Sequence, residues 1–380
     1  MKNIVNLIIF TLLVTLSACT VKINTDKAEK VASQKLLTVG VFTGDGAGSI
    51  SITETLSALQ IDKDINAIPV SAADIINGNL DSVDALIFPG GSGSKQLNNL
   101  GKQGQVIVKD FLKNKGKGIV GICAGAYMLC STEGYPSLQI GDVKHIDRPH
   151  YDRGRGLIEF ELNEEGLQIF PELKGNHQFI QYYDGPVMET LGNDASFTPL
   201  ATYVTDIHPH EGYPSGITPG KIFIYNEKIG KGKIFAIGGH AESTPGMRWM
   251  IARMARWVAG KPLVSYDKKW IDPNRNIKAI LFDKVTGKTE RKAWWQLFDK
   301  DAQKQIAALD TLYNLRSRPA VRWAVGLLRD DKAETRARAA KMIAQTEWTA
   351  ALPDLKATLL VEQNENTKKV IRDAINFLEE

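Results

Sequence analysis

Two kinds of segment alternate along residues 36–130. Short runs at 36–42, 65–70, 83–88 and 118–122 read as strands, the last, apolar and bounded by glycines, as a buried parallel strand. Between them lie stretches with helical spacing, at 52–59, where Ile52, Leu56 and Leu59 share a stripe, at 72–76 and at 103–114. Strands alternating with helices imply right-handed crossovers and a parallel sheet with helices on both faces. The pattern therefore predicts an α/β fold, and in such a sheet ligands sit at the carboxyl ends of the strands.

Beyond residue 135 the periodicity weakens and turn residues crowd in. Strands are expected at 157–162, 179–183, 198–204 and 221–225, some of them antiparallel. A further apolar strand at 233–238 precedes an amphipathic helix over 245–258, with Met247, Met250, Ile251, Met254 and Val258 on its core stripe. Residues 263–300 read as a connector, with a strand at 279–282 turning at Asp283-Lys-Val-Thr-Gly-Lys288 into a hairpin. From Ala302 the pattern is wholly helical, with short helices at 319–328, 335–344, 350–360 and 367–378. Arg338-Ala339-Ala340 and Arg372-Asp373-Ala374 hold like positions after the polar turns Asp330-Asp331 and Asn364-Glu365. That repetition predicts a HEAT-like helical-repeat domain over 301–380, with a plain helical bundle as the other reading.

Composition adds bounds. At 380 residues the chain is long for one ordinary domain, and 43% hydrophobic with 24% charged residues is globular. A net charge of +4 at this length gives no reason to expect a nucleic-acid partner, and the near charge balance of the C-terminal helices favours a protein-facing surface there. The N-terminus has its own logic. Lys2 is followed by an apolar run over 4–16 and then by Leu16-Ser17-Ala18-Cys19, the form of a secretory signal too short for a membrane anchor. The cysteine after the small pair resembles a bacterial lipobox, which implies removal of residues 1–18 and lipidation of Cys19. A polar tether would follow over 19–35. The chain is then expected at the cell envelope, lipid-anchored and facing the periplasm from the outer membrane. An ordinary signal peptide with an incidental cysteine is the alternative. Cleavage would leave Cys123 in an oxidising compartment with Cys130, and seven residues along a helix is about 10 Å of rise, beyond disulfide reach.

The candidate chemistry gathers at strand ends. Cys123 stands at the joint of strand and helix in Gly121-Ile-Cys-Ala-Gly125, the form of a nucleophile elbow, whose turn is too sharp for side chains beside the reactive residue. The N–H groups of the following helix favour a thiolate. The bland reading is a buried cysteine between packing glycines. Phe88-Pro-Gly-Gly91 ends another strand, so the N–H groups of Gly91 and Ala124 are candidates for an oxyanion hole. His240 and Glu242 follow the strand at 233–238, where the carboxylate either holds the imidazole or lies behind it. Gly44, Gly46 and Gly48 do not match the dinucleotide-binding spacing. His208 and His210 with Asp206 and Glu211 have no recognised metal-ligand spacing. Lys144, His145, Arg148, His150, Arg153 and Arg155 read as a solvated or salt-bridged loop in preference to an anion site.

In this order, a glycine pair, G-x-C-x-G and H-x-E, the chain resembles the class I glutamine amidotransferase-like superfamily. Within it, Val41-Phe-Thr-Gly-Asp-Gly46 with Thr55-Leu56, Phe88-Pro-Gly-Gly91, Gly121-Ile-Cys-Ala-Gly-Ala-Tyr127 and Tyr182-Tyr-Asp-Gly185 resemble the biotin–protein ligase N-terminal domain family. The resemblance spans roughly residues 36–262. It implies a flavodoxin-like parallel sheet, Cys123 as nucleophile, His240 as base and Glu242 as its partner, with Gly90, Gly91, Ala124 and Tyr127 around the substrate. It implies no metal and no cofactor. Two positions depart from the superfamily pattern. Tyr127 stands where a glutamine that helps hold the substrate is usual, and Ala241 replaces a proline between histidine and glutamate. Biotinylation is not expected: Arg153-Gly-Arg-Gly156 is similar to a ligase's basic glycine loop, but the rest of that catalytic domain is absent. Two classes of function follow. One is a thiol hydrolase acting on a small-molecule or peptide amide. The other is a catalytically silent binding or scaffold protein that recruits a protein partner through its helical repeats.

Overall fold

The alternating N-terminal pattern folds as one half of a continuous sheet. The computed structural model describes residues 37–147, 154–193, 195–208 and 214–379. Cys19 and the signal-like segment, Arg148, His150 and Arg153 of the basic stretch, and His210 and Glu211 of the candidate metal group lie outside the described residues. In chain order β1 (Leu37–Phe42), α1 (Ser49–Leu59), β2 (Ile65–Val70), α2 (Ala72–Ile76), β3 (Ala85–Phe88), α3 (Gly93–Lys113), β4 (Gly118–Ile122) and α4 (Ala124–Leu129) come first. Then follow β5 (Val143–His145), β6 (Arg155–Leu162), α5 (Glu164–Ile169), β7 (Gln178–Tyr183), β8 (Met188–Thr190), β9 (Thr198–Tyr203), β10 (Ile222–Ile229), β11 (Gly232–Ile237), α6 (Trp249–Val258) and β12 (Ile280–Leu281). The C-terminal region is helical: α7 (Lys284–Gln296), α8 (Ala302–Asn314), α9 (Ala320–Leu327), α10 (Ala333–Gln345), α11 (Leu352–Val361) and α12 (Glu365–Glu379).

Among the described residues the strands form one 12-stranded sheet whose main path runs β12-β6-β9-β10-β11-β4-β3-β1-β2. From β2 to β11 neighbouring strands are parallel. β3 and β4 are buried along their whole length, as their unbroken apolar runs require. β2 lies at the edge, where Pro69 lacks an N–H without cost to a second neighbour. Beyond β11 every pairing is antiparallel, as expected for some of the later strands, so the sheet is mixed and not the parallel one that the family resemblance implied. The cause is local. Ile229 pairs with Gly232 across Gly230-Lys231, and a loop that short can only return the chain antiparallel. Gly230 takes the positive φ of 58° that the turn demands.

Two other expectations change at the level of elements. The helix expected at 103–114 starts earlier, at Gly93, and breaks at Gly101, whose φ of 60° and ψ of 179° are not helical. The expected hairpin after residue 279 is absent: β12 pairs with β6, and Asp283 is the N-cap of α7, its side chain accepting from Thr286 N–H at 2.7 Å.

The described residues form one compact unit. Helices α7 to α12 have their own apolar core, including Leu309, Leu312, Ala340, Ile343, Leu355 and Ile371, and Ile50 of α1 packs against it. The contact with the α/β part is polar and buried. Arg248 Nη1 donates to the Glu347 carbonyl, Gly246 N–H donates to Glu347 Oε1 at 2.9 Å, and Arg275 pairs with Glu347 at 2.8 Å. Arg155 pairs with Glu290 at 2.6 Å, and Ser57 shares a hydrogen bond with Thr349. Among the described residues no helix is long and apolar enough to cross a membrane.

Candidate active site

The elbow is built by close approach. β4 ends at Ile122, α4 begins at Ala124, and Cys123 between them has φ 50° and ψ −101°, a backbone state that L-residues rarely adopt. A Cβ on Gly125 would stand 2.0 Å from the Phe88 carbonyl oxygen, and one on Gly121 would stand 2.6 Å from the Gly125 carbonyl oxygen. Cys123 N–H donates to Ile237 O at 2.9 Å, which ties the elbow to the end of β11, and its thiol donates to the Tyr183 carbonyl at 3.3 Å. Cys130 is the contrasting case. It is buried, donates to Ala126 O at 3.3 Å, and burial pushes its thiol up. Neither thiol is in a disulfide.

His240 reaches the same place from the neighbouring strand. β4 and β11 run in parallel register as far as Ile122 and Ile237, so the chain leaving β11 emerges beside Cys123. His240 N–H donates to Gln181 O at 2.8 Å, and Thr244 Oγ1 donates to His240 O at 2.8 Å. A single 3-10 turn, Ala241–Ser243, brings Glu242 back to the ring. Of the two sequence options the carboxylate holds the imidazole: His240 Nδ1 lies 2.7 Å from Glu242 Oε1. With Glu242 ionised, Nδ1 is the donor and Nε2 is left with its lone pair. Burial first, and then Arg318, hold the His240 imidazole below its ordinary value of 6.5, so the ring is neutral at pH 7. Burial opposes ionisation of Glu242, but His240, Arg318 and Ser51 outweigh it and keep the carboxyl below its ordinary value.

Gly90 and Gly91 have distinct places. A Cβ on Gly90 would stand 2.5 Å from His240 Cε1, so this glycine is the seat of the ring. Its N–H donates to Ser51 Oγ at 2.9 Å, and Ser51 Oγ donates in turn to Glu242 Oε1 at 2.8 Å. Gly91, at φ 139°, and Ala124 line the cleft beside Cys123, and among the described residues neither N–H has a recorded backbone acceptor. The cleft itself encloses about 640 Å³ and is bounded by Gly91, Cys123, Tyr127, Tyr183 and His240. Tyr127 donates to Asp147 Oδ2 at 2.5 Å, and its ring packs 4.8 Å from His145. His145, at the end of β5, is buried behind Tyr127 with its Nδ1 3.4 Å from Asp147 Oδ1, and Arg155 is salt-bridged to Glu290, so of the two options for this stretch these two residues are paired and not solvated. Asp206 accepts from Gly216 N–H at 2.7 Å and from Thr218 Oγ1 at 3.0 Å.

Ser51, Glu54 and Arg318 escaped the sequence reading. Arg318 comes from the connection between α8 and α9, and its Nη2 lies 2.8 Å from Glu54 Oε2 and 3.3 Å from Glu242 Oε1. Ser243 also donates to Glu54, whose carboxyl is raised by burial despite Arg318. A serine and a glutamate on α1 carried the faint signal of polar residues on the stripe next to a glycine-rich loop. Nothing in sequence spacing marks Arg318.

Fold and site together define a doubly wound α/β protein with a cysteine at a strand–helix elbow and a histidine–glutamate pair on the adjacent strand end. A family model described as the N-terminal part of biotin-protein ligase matches residues 37–139. The pyridoxal 5'-phosphate synthase subunit PdxT of Francisella tularensis subsp. novicida is 31% identical, over 35% of this chain and 79% of that protein. PdxT of Francisella tularensis subsp. tularensis is 39% identical over the same shares, 35% and 79%. Among solved structures, a ThuA-like protein of Parabacteroides merdae aligns with a TM-score of 0.41 and 13% identity, covering 63% of this chain and 100% of that one. The chain belongs to the class I glutamine amidotransferase-like family.

Proposed function

We propose that this protein is a cysteine-dependent hydrolase of an amide. Cys123 Sγ attacks the carbonyl carbon, His240 Nε2 takes the thiol proton, and the Gly91 and Ala124 N–H groups receive the developing oxyanion. Collapse breaks the C–N bond, and the imidazolium gives its proton to the leaving nitrogen. Water, deprotonated by the same imidazole, then cleaves the thioester and restores the thiol. Glu242 fixes the tautomer that this sequence needs. The observation that supports the reading most is the 2.7 Å His240–Glu242 pair at the end of the strand beside Cys123, with ring and thiol lining one cleft. As written, the reaction needs no cofactor.

Tyr127 stands where the superfamily usually holds glutamine, and its hydroxyl is committed to Asp147, so we assign an amide other than free glutamine. The test is ammonia or amine release from glutamine and from a panel of peptide and aryl carboxamides, with mass spectrometry of quenched protein. We expect release from a member of the panel other than glutamine, an acyl adduct on Cys123, and loss of both in Cys123→Ser. Turnover that survives Cys123→Ala would overturn the assignment.

The silent-scaffold reading draws on one feature of the helical region, the exposed Trp295, Phe298 and Trp323, the last two in edge contact at 5.4 Å. They support a protein partner there, whether or not the site turns over, and we carry the HEAT-like repeat over 301–380 forward as part of this proposal. For location we propose a lipid anchor on Cys19 at the cell envelope, supported by the signal-like sequence of residues 1–19. Fatty-acid labelling and membrane fractionation should both be lost in Cys19→Ser; a labelled or membrane-bound variant would contradict it.

A further inference from the structure

We propose that Arg318, delivered by the helical region, is a positioning residue of the site, holding Glu242 against His240, so that the helical region is part of the catalytic unit. The inference rests on the roles given above to Cys123, His240 and Glu242.

The geometry converges on one oxygen. Glu242 Oε1 accepts from His240 Nδ1 at 2.7 Å, from Ser51 Oγ at 2.8 Å and from Arg318 Nη2 at 3.3 Å. The same guanidinium grips Glu54 Oε2 through Nε at 3.1 Å and Nη2 at 2.8 Å. Its side chain is only 9% exposed. It lies over the Tyr183 ring at 5.6 Å, and that ring stands edge-on to His240 at 6.1 Å. A single buried cation thus serves two buried carboxylates directly behind the imidazole.

The segment that carries Arg318 is shaped for this delivery. Arg316 ends α8 in a left-handed conformation, φ 57°, which a non-glycine residue adopts at a cost and which must be held from outside. Three contacts hold it. Its carbonyl accepts from Gln181 Nε2 at 2.8 Å, its Nε donates to Asn276 Oδ1 at 2.7 Å, and its Nη1 donates to Tyr313 O at 2.8 Å. Ser317 then donates to Glu290 Oε1 at 2.6 Å, and the next side chain points into the site. Gln181 is itself a neighbour of the site, since its carbonyl accepts from His240 N–H at 2.8 Å.

The charged and titratable groups that face His240 are Glu242 from its own turn, Arg318 from the helical region, Glu54 from α1, Cys123 from the elbow and Tyr183 from β7. After burial, Arg318 is the largest influence keeping the ring neutral, and the two glutamates act in the opposite sense. Without Arg318 both changes favour the imidazolium: the repelling cation is gone, and Glu242, left with Ser51 and His240, leans harder on the ring.

The experiment uses the full mature chain with labelled histidine, reading the His240 titration by NMR and the pH midpoint of Cys123 alkylation. In Arg318→Met the His240 titration should move up by roughly one pH unit, the low end for a neighbouring charge. Arg318→Lys should restore most of the wild-type midpoint. Thr349→Ala removes a hydrogen bond at the same contact without touching Glu242, and should move neither reading. A folded Arg318→Met whose His240 titrates as in wild type would overturn the proposal. If that variant does not fold, Glu54→Gln supplies the test: it removes an opposing carboxylate and frees Arg318 for Glu242, so the His240 midpoint should fall, and an unmoved midpoint overturns the proposal equally. If His240 shifts as expected while wild-type Cys123 reacts as an ordinary thiol, the hydrolase reading fails and the assignment of Arg318 stands.

Discussion

A side chain on Gly90 would have to share space with an imidazole carbon. The Cβ position is 2.5 Å from His240 Cε1, on a buried ring held by Glu242, whereas at Gly125 it is 2.0 Å from the Phe88 carbonyl oxygen, which belongs to a buried strand. The two substitutions should therefore differ in kind. Gly90→Ala should displace the ring from Glu242, lowering stability and abolishing the help that His240 gives Cys123. Gly125→Ala should lower stability by about 3 kcal/mol, the upper end for overpacking, read in urea. Titration makes a third prediction at this scale. Since burial and Arg318 depress the His240 imidazole, its NMR midpoint should lie below 6.5; a midpoint above that would contradict the electrostatic account. Cys123, His240 and Glu242 were legible in the sequence because each stands at a fixed offset from a strand end. Glu54 and Arg318 were not. On an amphipathic helix a glutamate reads as solvated, and only the arrival of residues far along the chain buries it.

At the scale of elements, continuous apolar runs were legible and short connections decided the rest. β1 and β4 fall where the apolar pattern puts them, because strands buried on both faces leave little alternative composition, and β2 falls at its expected residues although, as an edge strand, it is only partly buried. The stretch from Asp283 was misread because Asp-x-x-x-Gly serves equally as a turn and as a capped helix start; Asp283 Oδ1 accepting from Thr286 N–H shows which applies. Replacing that cap, Asp283→Ala, should cost about 1 kcal/mol in chemical denaturation and leave Cys123 chemistry untouched. A change in Cys123 reactivity would mean that α7 bears on the site more directly than through Glu290 and Ser317.

Across the whole molecule the decisive feature is that the two parts meet through buried charge. Glu347 takes a positive φ of 54° at the contact, receives Gly246 N–H and pairs with Arg275, while its carbonyl accepts from buried Arg248. Glu347→Ala leaves the Gly246 N–H without its acceptor and takes one carboxylate from Arg275, which keeps Asp272, so it should cost about 1–3 kcal/mol. The α/β part and the helices should unfold in one denaturant transition by intrinsic fluorescence and circular dichroism. Two separated transitions would contradict the picture of a single unit. Sequence periodicity could place the C-terminal helices but not this contact, since Glu347 lies 101 residues from Gly246 and 99 from Arg248.

The central claim is that Cys123 is an activated nucleophile, and its alkylation rate across pH tests that most directly, in the parent and in His240→Ala. Cys123 should react faster than a free thiol near pH 7, with a midpoint below the free-thiol value of about 8.5 favoured by the N–H groups that follow it, and its rate should fall when the imidazole base is removed. Slow reaction with an ordinary midpoint, the same with and without His240, would contradict it.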